Sequence, residues 1–366
     1  MNNELLYQVA LTQVPHIGDV HAKLLISVFK EPEAVFKAPR RQLEGIEGIG
    51  TIRANCIKAF KDFRRCEEEI AFIQKFNIRP LFITSDDYPQ RLLNCYDSPT
   101  LLYYRGNANL NTSRILSIVG TRNNTEYGRW VCEKMIEDLR DQHVLIVSGL
   151  AFGIDSIAHK ATLKNNLSTV AVLAHGLDRI YPPQHKSLAK QLVEQGGLLT
   201  DFKSGTNPDK QNFPRRNRIT AGICDALLVI ESGKKGGSLI TAELANSYNK
   251  DVFAIPGKIS DIKSDGCNYL VKNNKANLVT CAADLLECMN WNTTTPLPAK
   301  KQRELFIELT VAENKLITIL QEAGQCPVDM LYLKSGLSSS AAAAALLNLE
   351  MNGIIQSLPG KMYKLI

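Results

Sequence analysis

The chain has 366 residues, 45% hydrophobic and 22% charged, with a formal net charge of +6, so it can bury more than one core and two or three domains are expected. Its nine cysteines are scattered, with no CxxC pair and no His–Cys cluster at ligand spacing, which argues against a disulfide framework and a metal site. With no leader-like N-terminus and no run of 18 apolar residues, neither secretion nor a membrane span is expected, and the setting reads as cytoplasmic.

In residues 1–80, apolar positions recur at helical spacing through Leu5, Leu6, Val9 and Ala10, and again through Leu24, Leu25, Val28 and Phe29. The strings VPHIGDVHAKLL and LEGIEGIGTIRANCIKAF both read as helix, tight glycine turn, helix. The second, with Gly45, Gly48 and Gly50 ahead of Ile52 and Ala54, resembles a helix-hairpin-helix motif, whose turn amides approach a nucleic-acid phosphate. A small helical (SAM-like) bundle whose glycines only close turns is the other reading, and both stay open. Twelve Lys/Arg against ten Asp/Glu over this stretch leave no strong electrostatic footprint.

Residues 81–290 form the expected central domain. Short β-type pieces broken by Pro80, Pro89 and Pro99 lead into alternating strand and helix patterns. Apolar runs at 115–119, 144–147, 170–173, 226–230 and 252–255 alternate with helical patterns near 126–141, 153–165, 184–195 and 238–248, which predicts an α/β domain with a parallel sheet. Ligands bind beyond the carboxyl ends of such strands, so the residues just after each run are the candidates. They include Gly120 and Arg122, Ser148 and Gly149, the segment from His175 to Lys186, and the ESGKKGGS loop.

The richest stretch is 212–245. Arg215, Arg216 and Arg218 precede a helical turn, and the glycine loop opens into a helix that Ser238 can cap, with Thr241 one turn on. A glycine loop at a helix N-terminus suits a phosphate, and guanidinium groups add donors. If the arginine segment is extended, alternate residues face opposite ways and Arg215 is the weakest candidate. Neither GxGxxG nor GxxxxGK[ST] occurs, so no nucleotide cofactor is expected. Ser148, Asp155 and His159 suggest a nucleophilic triad on paper, but helix capping and core packing explain them better. Between 105 and 290 there are 23 Lys/Arg against 18 Asp/Glu, most of the excess charge.

The successive strings SIVGTRNNTEYG, VSGLAFGIDSIAHKAT, TVAVLAHGLDRIYPPQHKSL, FPRRNRITAGICDALLVIES and GGSLITAELA resemble the DNA-processing protein A (DprA/Smf) family over roughly 85–285. The resemblance implies a Rossmann-like domain that binds single-stranded DNA without sequence specificity and dimerises. It further implies a mediator that loads the RecA recombinase during natural transformation, with no catalytic turnover. Carried onto this chain, Arg122 and Lys186 are assigned to backbone phosphates, Phe213 to a base, and Arg216 and Arg218 to cations flanking Asn217. Gly237, Ser238 and Thr241 receive a phosphate. Gly236 departs from the family's usual serine. Some of the arginines could instead anchor carboxylates such as Asp178 or Glu231. The rival class is a phosphoribohydrolase acting on nucleoside monophosphates, marked by PGGxGTxxE. Here GKKGGSLITAE keeps only the two glycines and Glu243.

A polar, proline-bearing linker at 291–303 marks a boundary. From 304 to 366 the layout is helix, helix, turn, helix and β-hairpin, that of a winged helix, which family members often carry. Its third helix has no Lys or Arg between Gly336 and Gly353, so groove reading is not expected. A protein-contact or dimer-regulating element fits better. The helix near Tyr269 and Val271 is a candidate dimer surface.

Overall fold

The apolar runs become strands because each is short, β-branched and bounded by turn residues. In the computed structural model, which describes residues 3–291, 309–358 and 362–365, nine strands form one sheet. They are β1 (Arg79–Phe82), β2 (Leu101–Gly106), β3 (Ile115–Val119), β4 (Leu145–Ser148), β5 (Thr169–Val172), β6 (Gly196–Thr200), β7 (Ala226–Val229), β8 (Asp251–Ala254) and β9 (Asn277–Leu278). Their order is β1-β2-β6-β5-β4-β3-β7-β8-β9. Pairing is parallel from β6 to β9 and antiparallel at β1 and β2. The chain winds outward from β3 to β6, then returns to place β7 on the other side of β3. That reversal creates a switch point between β3 and β7, where a crevice opens beyond the strand ends.

The fold is Rossmann-like α/β, with helices burying both sheet faces. One core unites the sheet with the helices Asn212–Gly222, Gly237–Ser247 and Asp265–Lys272, the other with Glu126–Asp138, Ile154–Lys164 and Ala282–Cys288. The two parts of the chain, Met1–Asn292 and Thr293–Ile366, are separate compact units. Within the first, six N-terminal helices share a core with the antiparallel edge, where Leu25, Leu43 and Ala54 pack with Phe82, Leu101 and Tyr103. The predicted glycine turn is present, with Gly48 and Gly50 at φ +87° and +61°, which glycine adopts without strain.

Two sequence expectations need correction. Strand β6 was not anticipated, because GGLLT reads as a turn. Its glycines are needed for close approach: a Cβ on Gly197 would meet the Tyr104 ring, and one on Gly196 the Thr169 backbone. The arginine segment is helical, not extended. Pro214 sits in the first turn of Asn212–Gly222, where a missing N–H costs nothing.

His159 shows how the core titrates. Its Nδ1 lies 2.7 Å from Thr169 Oγ1 and its Nε2 faces the Gly149 carbonyl, so both nitrogens serve the core. Burial pulls its pKa from 6.5 down to about 4. Between these values the unfolded chain takes up a proton that the folded chain refuses. Stability therefore falls by about 3 kcal/mol in all as pH drops through that window. Urea denaturation across pH should show this loss, and His159→Gln should flatten it; an unchanged slope contradicts the assignment.

The second unit is a winged helix. Helices Val311–Ala323, Val328–Ser335 and Ser339–Met351 combine with a three-stranded sheet of β10 (Gln325–Pro327), β11 (Ile355–Leu358) and β12 (Met362–Leu365) in the order β10-β12-β11. Leu316, Leu320, Leu331, Leu346, Leu349 and Ile355 form its core. Thr310 and Glu313 make a reciprocal capping box, and Ser338 caps the third helix. Of the expected linker, residues 292–303 lie outside the described residues.

Candidate nucleic-acid interface

The crevice at the switch point is a cavity of about 400 Å³. The turn after β3 supplies Gly120, Thr121 and Arg122, and the start of the loop after β4 supplies Gly149. The β7 loop adds Ser232, Gly233, Gly236 and Gly237, running into Ser238, Ile240 and Thr241. The helix after β6 contributes Phe213, Arg216, Asn217 and Thr220, at i, i+3, i+4 and i+7, which is one helical face.

That helical period sorts the three arginines. Arg216 faces the cavity but is 7% exposed, with a guanidinium N–H bonded to the Val172 carbonyl and Nε 3.2 Å from Asn217 Oδ1. Asp155 lines the same wall. Burial pushes the Asp155 carboxyl up and the Arg216 guanidinium down, and each charge opposes the other's shift. A Cβ at Gly149 would sit 2.4 Å from Asp155 Oδ2 and 2.6 Å from an Arg216 nitrogen, so a larger residue there would displace the ends of both side chains. Arg215 leaves the cavity and lies over the Phe202 ring at 5.3 Å.

Arg218 points away as well. It pairs with Asp201 at 2.6 Å and Asp19 at 2.8 Å and donates to the Asp97 carbonyl, joining the N-terminal helices to the sheet. The carboxylates named from sequence are not its partners: Asp178 pairs with Arg179, and Glu231 accepts from the Thr125 amide. The assignment of Arg218 to DNA is corrected accordingly, because its charge is already neutralised inside the protein.

Arg122 differs from both. It is exposed, is not ion-paired among the described residues, and rests over the Phe213 ring at 5.2 Å. Beside it lies a small hollow lined by Phe152, Tyr181 and Phe213, of which Phe152 and Tyr181 are about half exposed. No sequence signal singled out Phe152 or Tyr181, since a lone aromatic in a loop is ordinarily packing.

At the glycine loop, Ser238 does not cap. Gly236 takes the cap position in an extended conformation, without a side chain to satisfy the first turn. The amides of Gly237 and Ser238 therefore have no intrahelical acceptor, and both residues line the cavity at the positive end of the helix dipole. Ser238 Oγ is spent on Ser232 Oγ at 2.8 Å, and Thr241 Oγ1 on the Gly237 carbonyl at 3.2 Å. Ser148 is fully buried, with Oγ donating to the Ile118 carbonyl at 2.6 Å, and does not line the cavity. Lys186 starts the helix Lys186–Glu194 and lines a different cavity with Arg105 and Arg179.

A family model described as DNA recombination-mediator protein A matches residues 79–290, and a DprA winged helix domain model matches 302–361. The chain belongs to the DNA recombination-mediator protein A family. A Synechocystis protein named Smf is 32% identical, covering 99% of both chains. The X-ray structure of DNA processing protein A from Streptococcus pneumoniae superposes with a TM-score of 0.68 at 34% identity, over 78% of this chain and 98% of that one. DNA processing protein A from Helicobacter pylori, solved for its unique single-stranded DNA binding mode, gives 0.54 at 27%, over 59% and 96%. Membership in this family does not favour the phosphoribohydrolase alternative, and Glu243, which would be its acid, instead pairs with Lys275 at 3.2 Å on the surface. No helix among the described residues is long and apolar enough to cross a membrane.

Proposed function

We propose that the chain binds single-stranded DNA at the β3/β7 crevice and delivers it to RecA. One observation carries the reading: the cavity is lined by Gly237 and Ser238, whose amides lack an intrahelical acceptor, and by Arg122, not ion-paired among the described residues. The adjoining hollow, which shares Arg122 and Phe213 with it, adds the half-exposed Phe152 and Tyr181. Amides and guanidinium suit a phosphate, while aromatic faces suit an unpaired base and would be useless to a stacked duplex. The Helicobacter relative's single-strand binding supports the same substrate. Of the residues first assigned, Gly120, Arg122, Gly149, Phe213, Arg216, Asn217, Gly237, Ser238 and Thr241 belong to the proposed site. Ser148 supports it from beneath.

The RecA step rests on the family's recombination-mediator description. We further propose that the chain acts as a binder without turnover, as a cytoplasmic homodimer. RecA-promoted strand pairing should accelerate when this chain is added in amounts below saturation; no acceleration at any ratio contradicts delivery.

The winged helix contributes little to DNA affinity, because its third helix carries no cation to release counterions from phosphates. A chain ending at Trp291 should keep the full-length single-strand affinity in an anisotropy titration. A large loss would place the strand on the winged helix.

A further inference from the structure

The loop after β8, residues 256–264, ends on the same sheet edge as the glycine loop, because β7 and β8 run parallel. It carries the most exposed large apolar side chain among the described residues, Ile259 at 94%, and Ile262 at 77%. Both ends are tied down. Tyr127 donates to the Pro256 carbonyl at 3.2 Å, and Gly257 exchanges two hydrogen bonds with the Asn268 side chain. Gly266 N–H bonds to the Ser232 carbonyl at 2.7 Å, on the glycine loop itself. The apolar tip is thus held out beside the phosphate cavity.

Charge indicates what covers it. Lys258 and Lys263 flank the isoleucines, and Lys235 stands on the neighbouring loop; none of the three is ion-paired among the described residues. The acidic groups nearby are occupied: Asp265 pairs with Lys234 at 3.6 Å, and Asp261 accepts from Lys263 N–H and Ser264 Oγ. Unpaired lysines flanking exposed aliphatic side chains fit a polyanion that also presents apolar faces. Unpaired bases on a phosphate backbone have that chemistry. We infer that this loop is a second contact for single-stranded DNA, gripping the strand as it leaves the cavity. The inference rests on the single-strand reading above.

The test compares full-length Lys258→Ala/Lys263→Ala and Ile259→Ser/Ile262→Ser with the parent, on an oligothymidylate too long for the cavity and on one short enough to fit within it. On the long strand, the lysine variant should lower the slope of log affinity against log salt by about 1.4, two charges at roughly 0.7 each. The isoleucine variant should weaken binding about tenfold. The short strand should bind as before. Parental slope and affinity in both variants, while Arg122→Ala still weakens binding, overturn the loop contact and leave the cavity standing. Changed sedimentation with unchanged DNA affinity would assign the loop to a second copy and overturn it too. If the parent binds neither oligonucleotide, both readings fall.

Discussion

Replacing Arg218 by alanine should lower the free energy of unfolding by about 3–5 kcal/mol. The guanidinium is 11% exposed and bridges Asp201, itself 6% exposed, and Asp19. Removing it strands a buried carboxylate without a counter-charge and unties the Asp97 carbonyl from the same group. It also loosens the N-terminal helices from the sheet, since Asp19 further accepts from the Thr100 amide at 2.9 Å. Urea denaturation followed by circular dichroism gives the loss, and an anisotropy titration below the transition should show parental single-strand affinity. A stable variant with lost affinity would return Arg218 to the DNA site.

Arg122→Ala should do the reverse. The side chain is exposed and touches the protein mainly through the Phe213 ring, so its removal should leave the urea midpoint in place. A charged hydrogen bond to phosphate contributes about 1.5–3 kcal/mol, which is roughly tenfold to hundredfold in affinity. The salt slope should shrink as well, by about 0.7 for one released counterion. Binding within the error of the parent at low salt would contradict a phosphate at this position.

The contrast between these two arginines marks the limit of sequence reading. The five parallel strands β3, β4, β5, β7 and β8 could be read because each is a short, mainly apolar run, buried at every position except Asp251. The cavity could be read because ligands collect beyond such strands, and Gly120, Arg122, Gly149 and Gly237 all follow one. Arg218 could not be placed, because its partners lie 17 and 199 residues away in the chain. Arg216 and Arg218 look alike in FPRRNR, and only the helical phase separates cavity from interior. Lys186 belongs to the same difficulty: it follows β5 by a long segment, and the helix it begins carries it to another hollow. β6 was hidden because the glycines that admit Tyr104 also resemble a turn.

Amide hydrogen exchange of the full chain, with and without a single-stranded oligonucleotide, tests the placement of the strand most directly. The amides of Gly237 and Ser238 have no intrahelical acceptor and should exchange readily in the free protein. Bound DNA should protect them together with the turn at Gly120 to Arg122. Protection confined to the winged helix or the N-terminal glycine turn, with these amides unchanged, would contradict a strand at the β3/β7 crevice.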